Sequence, residues 1–290
     1  MAPDTLIARL EDDRGQDARK EWLYAVGMIS AEGSSMPNAF VRKLADRVAL
    51  SANDIASLEE ACAKERSFPA KHDLIREGDE PGPVFVFLEG WGCRYKILPE
   101  GGRQILAFMM PGDFCDMHTS VLDEMDHSIA TVTRARIAMI PRARMEDLLH
   151  LSPAITRAFW LMQLVDLGVA RSWIASVGRR GSVERVAHLM CELYFRANAF
   201  RLVGDGQCSM PLSQILLADA LGLTPVHVNR VLRKFKAAGV MRLDQKALII
   251  SDIAQLVRIA GFDDTYLQRR LGSGAGQAAI PIRPQSAVPR

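Results

Sequence analysis

The five cysteines, Cys62, Cys93, Cys115, Cys191 and Cys208, include no CxxC pair, the spacing that zinc ribbons and cysteine-ligated iron–sulfur clusters use. Free, buried thiols are expected instead. No apolar run reaches the roughly 18 residues a membrane-spanning helix requires, and the first thirty residues are too charged for a secretory leader. A cytoplasmic protein with no membrane partner is therefore expected. HExxH, a phosphate-loop glycine pattern and the Ser-His-Asp order are all missing, so the enzyme classes that depend on them are excluded. No catalytic residue is assigned.

Present instead is the composition of an ordinary globular protein, with 49% hydrophobic and 24% charged residues in 290. That length is enough for about two domains. The net charge of +2 hides an asymmetry: residues 1–177 carry 20 Lys and Arg against 26 Asp and Glu, whereas residues 178–270 carry 14 against 8. A basic segment on an acidic remainder points to a polyanionic partner for that segment alone.

Residues 1–37 read as a polar, partly disordered extension with at most one short helix near Lys20 to Ile29. From Asn38 the spacing of Phe40, Leu44 and Val48, and of Ile55, Leu58 and Ala61 after Ser51, predicts two short helices. Between Phe68 and Pro141 short apolar runs such as VFVFLEG, QILAFMM and ARIAMI are bounded by Gly, Pro, Asp or Glu, which is the texture of an antiparallel sandwich or barrel. A sensor-like β domain over 38–152 is expected. Residues 153–178 contain no proline after Pro153 and are apolar on nearly every face. One row is Ile155, Ala158, Met162, Val165 and Val169; another is Trp160, Leu164, Leu167 and Ile174. A helix of this kind must be covered on more than one side. The first row is assigned to the seam of a homodimer, the alternative being burial within one protomer. The tail 271–290, rich in small residues and proline, need not fold.

Residues 213–240, SQILLADALGLTPVHVNRVLRKFKAAGV, carry the most specific signal. Ser213 caps a helix over Gln214 to Leu221, Gly222 breaks it, and Thr224 with Pro225 restarts a second. The small Ala218 allows a close crossing, and Leu217, Leu221, Leu223, Val228 and Val231 supply a shared core, as a helix-turn-helix requires. The second helix of such a unit enters the major groove of double-stranded DNA. Arg230 suits guanine, Asn229 adenine or phosphate, and Val226 a thymine methyl; His227 also points outward. Arg233, Lys234 and Lys236 are better placed for phosphate. GVMRLDQKALIISD then reads as a wing with Lys246 at its tip.

A glycine-punctuated β domain, a long helix and a winged helix-turn-helix over 179–262, in that order, resemble the Crp/Fnr family of bacterial transcription regulators. The resemblance is carried by REGDEPGPVFVFLEGWG, MPGDF, MDHSIATVTRARIAMIPR and GLTPVHVNRVLRKF, and GRRGSVERVAHLMCELYFR is similar to the family's alphaproteobacterial branch. It implies an α+β architecture, a cyclic-nucleotide-binding-like antiparallel β-roll (jelly-roll) followed by a dimerisation helix and a winged helix. It also implies a homodimer on a two-fold symmetric promoter site that contacts RNA polymerase, with the turn Gly204-Asp205-Gly206 where activators present a loop. Of the glutamate, serine and arginine that family members use in the recognition helix, the matching positions hold Val226, Asn229 and Arg230. The nucleotide-binding Gly-Glu pair becomes Asp116-Met117, next to His118, and the phosphate-binding Arg-Ser pair becomes His127-Ser128. A mostly neutral imidazole does not replace the arginine, and Asp116 would repel phosphate. Cyclic AMP is therefore not the expected effector, and the absence of cysteines before Cys62 argues against the family's iron–sulfur cluster. PGDF is read as the turn into the pocket, so no cofactor is assigned. Three alternatives stay open: a metal or haem on Cys115, His118 and His127, oxidant sensing by Cys191 or Cys208, and a winged helix that serves protein contacts.

Overall fold

The computed structural model describes residues 37–117, 121–199, 203–204, 207–244 and 247–268. The chain divides into two compact units, Met1–Asn38 and Ala39–Arg290, and the elements below belong to the second. The expected helix near Lys20, together with His118, Asp205, Gly206, Lys246 and the tail, lies outside the described residues.

Two short helices open the unit, α1 (Ala39–Ala45) and α2 (Ala52–Ala61). Ser51 caps α2 in a reciprocal capping box with Asp54. Eight strands follow: β1 (Glu65–Phe68), β2 (Asp73–Ile75), β3 (Val84–Glu89), β4 (Gly92–Ile97), β5 (Arg103–Met109), β6 (Phe114–Cys115), β7 (Ser128–Thr131) and β8 (Ala135–Ile140). They form two antiparallel four-stranded sheets, in the orders β1-β8-β3-β6 and β2-β7-β4-β5. Phe68, Phe85, Phe87 and Ile137 from the first sheet join Ile75, Met109 and Ile129 from the second in one core. Phe85 and Phe87 of β3 fill that sandwich, while Val84, Val86 and Leu88 face helices on the outer side. A strand covered on both faces reads as an unbroken apolar run, which is why VFVFL does not alternate.

Two further helices complete that outer layer: α3 (Arg142–Leu151) and the 27-residue α4 (Pro153–Arg179), capped by Ser152. The row Ile155, Ala158, Met162, Val165 and Val169 is buried within the protomer, the first three against the β-roll helices and sheet, the last two against the elements that follow. Assigning this row to a dimer seam is therefore corrected: the β-roll lies on that side of α4. The row left uncovered is Trp160, Leu164, Leu167 and Ile174, between 45% and 74% exposed.

Next come α5 (Ser182–Ala199), β9 (Val203–Gly204), β10 (Gln207–Ser209), α6 (Gln214–Leu221), α7 (Pro225–Ala237), β11 (Met241–Asp244), β12 (Ala247–Ile250) and α8 (Ile253–Ala260). Strands β9 to β12 make a third antiparallel sheet, β11-β12-β10-β9. The fold extends past the expected end at 262. The 3-10 turn Thr265–Leu267 packs on α4 at Gly168, where an added Cβ would lie 3.1 Å from the Tyr266 carbonyl oxygen. Arg47 Nη1 donates to the Leu267 carbonyl at 2.9 Å.

The β-roll and the C-terminal elements share one core. Trp91, Cys93, Tyr95, Ile105 and Phe108 of the β4–β5 hairpin region pack with Leu217, Leu221 and Trp173. Polar ties reinforce this contact. Arg103 makes two hydrogen bonds to Asp219 Oδ2 on α6, at 2.9 and 2.7 Å. Asp113, in the PGDF turn, accepts from Lys43 of α1, from Arg196 of α5 at 2.8 Å and from the Met110 amide at 2.6 Å. Reading PGDF as a turn alone is thus incomplete. Gly112 serves the turn: its φ is +86°, and a Cβ there would lie 2.8 Å from the Ala39 carbonyl oxygen. Asp113 serves the tertiary structure.

Burial pushes the Asp113 carboxyl up, but the Lys43 and Arg196 cations outweigh it and hold the group below the ordinary aspartate value of 3.8. A depressed carboxyl stabilises the fold above its unfolded value, and that contribution is lost as pH falls toward the folded one. Asp113→Ala is expected to cost about 3–5 kcal/mol at pH 7, because the buried Lys43 and the half-buried Arg196 both lose this carboxylate. Urea titrations of both proteins check this, and their stabilities should converge as pH falls below 3.8.

Candidate nucleic-acid interface

Helices α6 and α7 meet at 104°, within the range of a helix-turn-helix. Local chemistry sets the angle. The Ser213 hydroxyl accepts from the Leu216 amide at 3.2 Å and the Thr224 hydroxyl from the His227 amide at 3.2 Å, so both helices start on a side-chain cap. Between them Gly222 takes the left-handed φ of +61° that glycine accepts without strain. Leu217, Ala218, Leu221, Val228, Val231 and Phe235 are buried in the shared core, and Leu223 is half-buried.

The opposite face of α7 is open. Val226 is 71% exposed, and Arg230, Arg233, Lys234 and Lys236 are exposed with it. Its sequence, PVHVNRVLRKFKA, contains no carboxylate, so the face is uniformly attractive to phosphate. The helix starts at Thr224–Pro225, placing Val226, Asn229 and Arg230 on its first two turns, the part that reaches base edges in this motif. His227 and Asn229 are half-buried. Asn229 is not free as a lone reader: its Nδ2 donates to Gln214 Oε1 at 3.0 Å. Gln214 escaped the sequence reading, because no spacing rule pairs the first residue of one helix with a residue fifteen positions on. The wing is present as β11 and β12, with Asp244 opposite Ala247 at its described end.

The five residues expected at the pocket are brought together as far as they are described. Asp116, with φ +52°, lies beside His127, the Oδ2 and Nε2 atoms 3.2 Å apart. His127 Nδ1 meets Asp126 at 2.7 Å. Met117 is buried, and the Ser128 hydroxyl accepts from the Glu77 amide at 2.9 Å. Arg94, which no sequence motif marks, lies at the centre of this group. From β4 its guanidinium donates to Asp166 of α4 at 3.2 Å and to the Phe114 carbonyl at 3.1 Å, and lies 3.9 Å from Asp116. Burial raises the Asp116 pKa, but Arg94 and His127 outweigh it and hold the carboxyl ionised below its ordinary range. Burial lowers the His127 pKa, but Asp116 outweighs it, so the ring titrates above 6.5. The mostly neutral imidazole of the sequence reading is thus drawn toward its charged form. The signal for Arg94 was a charged residue inside a strand run, GCRYKI, flanked by buried Cys93 and Tyr95.

All five thiols are buried. Burial pushes Cys93 and Cys191 up to about 12 and Cys208 to about 11, which disfavours the thiolate that oxidant sensing uses. Cys115 sits in the sandwich core. Among the described residues no group of three potential metal ligands is gathered.

Comparison with known proteins gives the same two halves in the same order. The cyclic nucleotide-binding domain family matches residues 65–152 and the Crp-like helix-turn-helix domain family residues 184–259. The nitrogen fixation regulation protein FixK of Bradyrhizobium diazoefficiens is 27% identical over 237 residues, covering 81% of this chain and 98% of that protein. The transcriptional activatory protein AadR of Rhodopseudomonas palustris is 30% identical over 184 residues, 61% of this chain and 73% of AadR. Among solved structures, FixK2 from Bradyrhizobium japonicum superposes with a TM-score of 0.61 at 23% identity, covering 68% of this chain and 96% of FixK2, which supports the fold. With its recognition helix open to solvent, both family domains in order and a transcriptional activatory protein matched over 73% of its length, this chain belongs to the Crp/Fnr family of DNA-binding transcription regulators.

Proposed function

We propose that the protein is a cytoplasmic, homodimeric transcription activator that reads a two-fold symmetric promoter site, contacts RNA polymerase and works without cyclic AMP. The observation that carries the dimer is the uncovered row on α4. Trp160, Leu164, Leu167 and Ile174 are spaced by four, three and seven residues, the seam spacing of a two-helix coiled contact. Four large apolar side chains in line on one helix face favour burial against a second copy. Arg171 takes the remaining position of the row, and its charge sets register at some cost in stability.

Independence from cyclic AMP is supported by the pocket's own charges. The phosphate arginine is replaced by His127, and the half-buried Arg94 nearby is already balanced by Asp116 and Asp166. A cyclic phosphate entering there would meet two carboxylates and would have to break those pairs.

In this reading the DNA contacts divide by role. Val226, Asn229 and Arg230 read bases, Arg233 and Lys234 hold phosphates, and Ser213, Thr224 and His227 set the approach, with Lys246 expected to join from the wing. The activating role is supported by the name of AadR, a transcriptional activatory protein.

Four outcomes are expected. Leu167→Asp places a charge in the seam and should give a monomer by sedimentation, with symmetric-site binding lost; a dimer would return the seam to another surface. Arg230→Ala should cost about 1–3 kcal/mol on the preferred half-site and relax one guanine position, measured by gel shift. Arg233→Ala should weaken all sequences alike and flatten the slope of log affinity on log salt by about one. Added cyclic AMP should produce no heat in a calorimetric titration and leave DNA affinity unchanged.

A further inference from the structure

Gln214 and Asn229 come from different helices of the DNA-reading unit, yet their side-chain amides are joined at 3.0 Å. Gln214 is the first residue of α6, directly after the Ser213 cap, and Asn229 lies on the second turn of α7 between exposed Val226 and Arg230. We infer that Gln214 is a specificity-determining residue of this regulator, acting by fixing the amide of Asn229 so that the pair reads one base of the half-site as a unit. The inference rests on α7 being the DNA-reading helix.

The physical reason is the ambiguity of a primary amide. An unrestrained asparagine turns about its terminal torsion and presents either oxygen or nitrogen to a neighbour, so it discriminates poorly between bases. Bonded to Gln214, it has one Nδ2 hydrogen committed. The other Nδ2 hydrogen and Oδ1 remain, the donor and acceptor combination that the adenine N7 and N6 edge takes in the major groove. Fixing the amide before binding also removes ordering cost at the moment of contact. Gln214 keeps both Nε2 hydrogens, which suit a phosphate oxygen, so one bond links a backbone anchor to a base reader.

The test uses full-length protein and a library of randomised half-sites at fixed salt, sequencing the bound fraction for wild type, Asn229→Ala, Gln214→Ala and Gln214→Glu. Asn229→Ala should erase preference at one position. Gln214→Ala should lower preference at that same position about tenfold and leave the others unchanged. Gln214→Glu keeps an acceptor for Asn229 Nδ2 but repels phosphate, so it should retain the wild-type preferences while binding every sequence more weakly. The idea is overturned if Gln214→Ala keeps the full preference or weakens all sequences alike, if Asn229→Ala keeps it, or if Gln214→Glu loses it as Gln214→Ala does. Wild-type protein that binds without any base preference would defeat the DNA-reading assignment itself, whereas a selective wild type with an unaltered Gln214→Ala profile defeats the pair alone.

Discussion

The carboxylate of Asp113 holds together parts of the chain that are far apart in sequence. It receives Lys43 from α1 and Arg196 from α5, on either side of a turn that only glycine at 112 can make. Arg196 continues to the Phe108 carbonyl at 2.9 Å and to Glu192 at 3.2 Å; Glu192 in turn accepts from Trp173 at 2.9 Å and from Tyr266 at 3.2 Å. One buried chain of charge therefore runs from the first helix through the β-roll turn and the DNA-binding half to the closing 3-10 turn. Buried ions this dense are costly unless every member is partnered. Here the partners come from α1, the β-roll turn, α4, α5 and the closing 3-10 turn, so the network specifies one packing of those elements.

The same logic explains why the pocket and the reading head are not independent. Arg94 leaves β4 for Asp166 on α4, and Arg103 leaves β5 for Asp219 on α6. A single hairpin thus grips the long helix with one arginine and the first helix of the DNA-reading unit with another. Phe108 of β5 adds an edge contact with Trp173 of α4, ring centroids 6.0 Å apart. The orientation of α7 follows from α6, and α6 is held against the β-roll by these residues.

Much of this was legible in the sequence, and the limits follow from the kind of interaction. Caps, breaks and strand punctuation are local: Ser51, Ser213, Gly222, Thr224 and Pro225 act on neighbours within four residues, so these helices and the break between α6 and α7 could be read directly. Periodicity identified two apolar rows on α4 but not which faced inward, because a helix apolar all round carries no sign of its neighbour. That choice depends on where the β-roll lies, a property of the whole unit. Long-range polar pairs were illegible for the same reason. Asp113 with Arg196, Arg94 with Asp166 and Gln214 with Asn229 join residues 83, 72 and 15 positions apart.

At the pocket the substitutions relative to nucleotide binders are not isolated losses. Replacing the Gly-Glu pair by Asp116-Met117 puts a carboxylate where Arg94 and His127 can both reach it, and Asp166 from the helix side balances the remaining charge. An arginine at 127 would add a second guanidinium beside Arg94, and a phosphate would then be needed to neutralise the pair. With histidine there, Asp116 faces both Arg94 and His127, and the second carboxylate on Arg94 comes from α4, so Asp166 couples the β-roll to the long helix.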